Sequence, residues 1–248
     1  MTTHENMGTI VRREREGPGV AVVRLLLPAG WLLAAVGYYG AWISHPTSAL
    51  TLSGGDMAEF VKFLPGVLDG SLRVHRQLFY LPPGAVVAGV ALLAGARRLS
   101  YPLLLRLLAV GLAVPLSLQL LPPAWSPASL VTAEFRWQVL GLGVCWFLLA
   151  GFWLWGRAPA RLVGGLTSLL ALAAGGLSVW QFLTVKPAIA VVYGRSPAMG
   201  WGLVVSLAGL AIMAGSGAVL ASAQPPQRKR PAQFAGTGYS AGVRSGRS

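Results

Sequence analysis

Charge is scarce in this chain. Asp, Glu, Lys and Arg make up 11% of its 248 residues while 54% are hydrophobic, against roughly 25% charged in an ordinary soluble domain. Too little polar surface exists to cover a water-soluble globule of this size. Acidic residues are scarcest, seven in all, and none falls inside a long apolar run. Ion-coupled transporters and proton pumps place such groups within the membrane, because protonation there is the working step. Histidine is limited to His4, His45 and His75, which leaves no facing pair within helices for a membrane haem. The single cysteine, Cys145, excludes an intrachain disulfide and a multi-cysteine metal site; it reads as a small buried hydrophobe. No Walker motif, HExxH, buried Ser-His pair or Asp pair is present. The sequence therefore implies no cofactor, no metal site and no catalytic residues.

Basic residues are more plentiful. The formal net charge is +13, but the residues sit in short clusters between apolar runs and in the last 25 or so positions, not along one folded face as in a nucleic-acid binder. This is the pattern of membrane topology, so the expected partner is the lipid bilayer, with other membrane-protein subunits a further option and nucleic acid excluded. The abundance of Gly, Ala, Leu and Arg matches GC-rich bacterial genomes, which suggests a bacterial plasma membrane.

The runs predict an all-α integral membrane protein, a bundle of six transmembrane helices at about 20–43, 78–96, 99–121, 137–156, 162–185 and 200–221. Residues 1–19 and 223–248 are polar, charged or low in complexity and are expected to be disordered tails. The first run is too long for a signal-peptide core. Pro28 and Pro115 should bend their helices. Arg97 and Arg98 separate the second and third runs into a tight hairpin, with Ser100 as cap and Pro102 in the first turn. The second run is short, so a re-entrant hairpin is the alternative for 78–96. Residues 186–199 read as a loop, although 188–192 could still be helical.

Between the first two runs lies the longest polar interval. Ser53 and Asp56 fit a capping box, and Met57, Phe60, Val61 and Leu64 recur at i, i+3, i+4 and i+7 opposite Asp56, Glu59 and Lys62. Pro65 and Gly66 should end this helix, and a second segment at 68–79 carries Arg73, His75 and Arg76. Such an amphipathic segment, 53–79, would lie on the membrane surface or cap the bundle. His45, Asp56, Glu59, Asp69, Arg73, His75 and Arg76 are its candidate functional residues.

With six crossings, fourteen basic residues fall on the side of the two tails and six on the other; the positive-inside rule then puts both termini in the cytoplasm. Tyr38, Tyr39, Trp42, Tyr80, Trp125, Trp137, Trp180, Tyr193 and Trp201 gather near the outer boundary, where ring and polar tip are both accommodated. Within the runs, Ala85/Gly89, Ala91/Gly95, Ala171/Gly175 and Ala211/Gly215 are spaced for close helix packing.

Three functions follow as expectations. The leading one is a non-catalytic accessory or assembly subunit of a membrane complex, since ionisable groups are missing from the runs while the outer segment suits docking. A transporter, or the membrane component of one, for a neutral or amphiphilic solute is the alternative, motivated by Pro28 and Pro115. The third is an outer-surface lipid-modifying enzyme, which requires His45, Asp56, Glu59, Asp69 and His75 to converge in one cleft.

Overall fold

A computed structural model describes residues 18–45, 50–96, 98–122 and 125–222. The tails expected at 1–19 and 223–248 lie outside them, apart from residues 18 and 19. The described residues are mostly helical, and five helices among them are long and apolar enough to cross a membrane: Gly19–Tyr39, Arg76–Leu93, Leu103–Leu120, Ala160–Tyr193 and Trp201–Ser222. This mostly helical architecture, with several helices of membrane-spanning length and composition, is consistent with an all-α membrane protein.

Its elements run as follows. Helix α1 covers Pro18–Tyr39, and strands β1 (Ile43–His45) and β2 (Leu50–Leu52) follow it. The segment between α1 and the next long helix holds α2 (Gly54–Phe60), a 3-10 turn at Val61–Phe63, α3 (Pro65–Leu68) and a second 3-10 turn at Arg76–Tyr80 that leads into α4 (Leu81–Leu93). Then come α5 (Leu103–Ser117), α6 (Pro127–Leu130), α7 (Arg136–Ala150), α8 (Phe152–Trp155), α9 (Ala160–Tyr193), β3 (Ala198–Met199) and α10 (Trp201–Ser222).

Glycine decides how α1 meets α10. Gly30 and Gly37 on one helix, and Gly202 and Gly209 on the other, are seven residues apart, the repeat that keeps one seam facing a partner helix. A Cβ built at Gly37 would lie 2.6 Å from Ser206 Cα, and one at Gly209 would lie 2.7 Å from both Ala34 Cα and the Gly30 carbonyl. These are backbone atoms and cannot move aside. Of the pairs expected at four-residue spacing, those with Gly89 and Gly95 are confined, whereas Gly215 faces open space and Gly175 makes ordinary contacts; the seven-residue seam adds to them. Beyond the helix ends the same approach becomes a sheet. Gly202 N–H donates to the Ala41 carbonyl (2.7 Å) and Gly200 N–H to the Trp42 carbonyl (2.8 Å), and antiparallel pairing gives the strand order β2-β1-β3. This small sheet was not expected from the sequence, because strands of two or three residues carry no readable alternation.

Helix α4 occupies the centre. It touches α1, α5, α7, α8, α9 and α10, and 78% of the Arg76–Leu93 segment is buried. The segment is short, but its 3-10 turn extends it to about 18 residues. Its all-round apolar surface is what enclosure by other helices demands.

Other boundaries also shift. Trp137–Gly156 is not one helix: Gly151 breaks it between α7 and α8, leaving α7 at 15 residues, about 22 Å. The loop expected at 186–199 is helical to Tyr193, because Pro187 sits inside α9 without ending it, and Gly194 closes that helix at φ 67°. At 34 residues, about 51 Å, α9 is much longer than a hydrocarbon core of about 30 Å. Ser100 does not cap α5: it adopts φ 46°, and Pro102 is the N-cap instead.

The glycine seam yields a direct test. Gly209→Ala should destabilise the detergent-solubilised protein by about 1–3 kcal/mol, the usual cost of forced overpacking, whereas Gly176→Ala, which meets nothing within 4 Å, should leave stability unchanged or slightly raised. Thermal unfolding of the two variants side by side reads the difference; equal shifts would remove the seam from the account.

Candidate functional site at the outer cap

The predicted capping box forms. Ser53 Oγ accepts from Asp56 N–H (3.3 Å), and Asp56 Oδ2 accepts from Ser53 N–H (2.9 Å) and Ser53 O–H (2.7 Å). The spacing that predicts an apolar face is matched by the burial of Met57, Val61 and Leu64. The helix is shorter than expected, since the chain tightens into the 3-10 turn at Val61, and Pro65 opens α3 rather than ending α2. The region expected as a helix at 68–79 is irregular from Asp69 to His75. There Asp69 Oδ1 accepts from Ser71 N–H (2.8 Å), the local bond that lets Asp compete with helix formation. Hydrogen bonding to Ser71 also holds the exposed Asp69 carboxyl below its ordinary range.

Arg76 is the hub of this cap. It is 8% exposed although charged, so it must be paired. Its Nη2 lies 2.9 Å from Glu134 Oε1, its Nη1 lies 3.6 Å from Glu59 Oε1, and its guanidinium stands 5.0 Å over the Phe135 ring. Glu59 is further held by Lys62 and accepts a hydrogen bond from Tyr80 O–H (3.0 Å). Two carboxylates and two cations thus form one neutral cluster. It ties α2, the start of α4 and the approach to α7 together. Gln138, on the first turn of α7, is 3% exposed beside Tyr80.

The seven residues singled out by sequence therefore divide. Glu59 and Arg76 meet. Asp56 and Asp69 are each engaged in local backbone capping. His75 is exposed, and its backbone N–H donates to Gln181 Oε1 (3.2 Å). Arg73 is exposed on the same irregular stretch, and His45 lies in β1 opposite Leu50. Among the described residues no three His, Cys, Asp or Glu side chains gather as metal ligands. Glu134, Tyr80 and Gln138 join the cluster without having been singled out. Glu134 is 58 positions from Arg76, and no sequence signal connects them.

A second feature lies between the helices. A groove of about 590 Å³ separates α1 from α5, with α4 behind it; both Pro28 and Pro115 line it, and its walls are almost wholly apolar. No family model, curated protein or solved structure matches this chain.

Replacing Arg76 removes the buried cation shared by Glu59 and Glu134 and leaves Glu59 to Lys62 and Tyr80. Arg76→Ala should cost about 2–4 kcal/mol, near the range for breaking a buried pair, while Glu134→Gln, whose side chain is half exposed, should cost less than about 1 kcal/mol. Asp69→Ala should stay within about 0.5 kcal/mol. Chemical denaturation in detergent ranks the three, and a neutral Arg76→Ala would show that the cluster does not hold the cap.

Proposed function

We propose that this protein is a non-catalytic accessory or assembly subunit of a membrane complex. The observation that carries this reading is the outer cap, whose carboxylates are engaged in structural pairs while large apolar side chains face outward. Phe63 and Leu68 are 71% and 73% exposed on neighbouring turns of an otherwise anchored segment. Exposed apolar groups held on ordered backbone suit a contact surface. A photo-crosslinking side chain at Phe63 or Leu68 should capture a different protein in native membranes. A single purified species, with adducts to lipid alone, would remove the reading.

We further propose six crossings of a bacterial plasma membrane, with both termini cytoplasmic. The sixth comes from α7 and α8 in series, which from Arg136 to Trp155 are slightly longer than the 18-residue shorter spans, and the orientation from the excess of basic residues on the side of the tails. With Cys145 replaced by Ser, a cysteine at Arg73 should react with an impermeant maleimide on intact cells, and one at Ser240 only after lysis. The opposite labelling would invert the topology.

The groove lined by both prolines favours a second reading, a transporter or transporter component for a neutral or amphiphilic solute. The third, a lipid-modifying enzyme, draws no support from a cap in which Asp56 and Asp69 serve local turns.

A further inference from the structure

Two arginines flank one end of the groove between α1 and α5 without lining it. At its near end, Arg24 lies one turn before Pro28, and Arg106 lies beside Leu105 on α5. The two guanidiniums converge on consecutive carbonyls: Arg24 Nη2 donates to Ser100 O (3.3 Å) and Arg106 Nε donates to Tyr101 O (2.8 Å). Tyr101 fixes this junction, since its O–H donates to the Arg24 carbonyl (3.1 Å) and its ring lies 6.4 Å from that of Trp31 in the groove wall. Neither arginine pairs with a described carboxylate. The four described acids, Asp56, Glu59, Asp69 and Glu134, all lie with the cap, beyond the other end of the groove. That far end is neutral, at Tyr39 and Gln119.

We propose that this groove holds one acyl chain of an anionic phospholipid, with the phosphate at Arg24 and Arg106. From Pro28 to Tyr39 the wall is about 16 Å long, close to half of a hydrocarbon core of about 30 Å, so a chain rooted at the arginines fills it within one leaflet. Leu32, Ala35, Leu108 and Ala109 offer it only apolar surface. Each guanidinium gives one bond to a carbonyl and keeps further N–H donors for phosphate oxygens, which Arg binds through its fork of donors. The selectivity follows from charge: the mouth of the groove favours a net negative headgroup over a zwitterionic one. The inference rests on the membrane placement proposed above but not on the accessory role, which can fail while the lipid site stands.

Native mass spectrometry of the full chain in mild detergent, with phosphatidylglycerol or phosphatidylcholine added, tests it. One phosphatidylglycerol should be retained, about tenfold more tightly than phosphatidylcholine. Arg24→Gln with Arg106→Gln should abolish that preference. Ala109→Trp should block both lipids, while Leu104→Trp, on an exposed face of α5 outside the groove, should block neither. Phosphatidylglycerol carrying a photoactivatable acyl chain, used on the unaltered protein, should label the helical stretches 28–39 and 105–116. Equal retention of the two lipids, retention unaffected by Ala109→Trp, or label spread over the exposed face of α9 would each overturn the proposal. So would a dimer in mild detergent that Ala109→Trp dissociates, since a second copy would then be the occupant.

Discussion

Backbone contact between α1 and α10 sets the rest of the arrangement. A side chain at Gly37 or Gly209 would meet main-chain atoms of the opposite helix, so the two helices can lie this close only because those side chains are missing. In a bilayer, apolar side chains gain little by leaving lipid for protein, and close packing carries more of the association. The seam continues past the helix ends into the β1–β3 pairing, which anchors Trp42 with its indole N–H on the Gly37 carbonyl (3.1 Å). Trp42 in turn packs edge-on against Tyr38, Phe79 and Phe182. One run of glycines thereby fixes both the helix pair and the floor of the outer cap.

The two ends of the molecule handle charge in opposite ways. At the cap, Arg76, Lys62, Glu59 and Glu134 neutralise one another, and burial of Arg76 is tolerable because its partners lie within 4 Å. At the other end Arg24 and Arg106 donate, among the described residues, to carbonyls of the α4–α5 turn, where Ser100 holds a left-handed backbone. Among the described residues no carboxylate balances these two guanidiniums, which is the charge left over for the anionic headgroup proposed above. Pairing inside the protein suits a cap that must be rigid; leaving cations for lipid suits the membrane boundary.

How much was legible depends on the range of the signal. The capping box at Ser53 and Asp56 and the buried stripe of Met57, Val61 and Leu64 were readable because both arise within one turn or two of a single helix. The enclosure of α4 was not, since an apolar segment of 16 to 18 residues looks alike whether it is central, re-entrant or too short to cross. The Arg76–Glu134 pair was invisible because nothing local at either residue refers to the other. Helix α9 takes the alternative the sequence left open for 188–192, because Pro187 forfeits one backbone bond yet the surrounding turns hold.

By itself the sequence determined that the chain is helical and suited to a membrane, because long apolar runs with few charges leave the backbone no other way to satisfy its hydrogen bonds in lipid. It also determined the charge asymmetry, which is a property of composition along the chain. Only the tertiary structure decided which small residues touch, with a seven-residue glycine seam between α1 and α10 beside the confined Gly89 and Gly95 of α4 and its end, which helix sits at the centre, and that Arg24 and Arg106, far apart in sequence, meet at one carbonyl pair below an apolar groove. These depend on how helices face one another, and that is set by packing between segments whose relative rotation no single segment encodes.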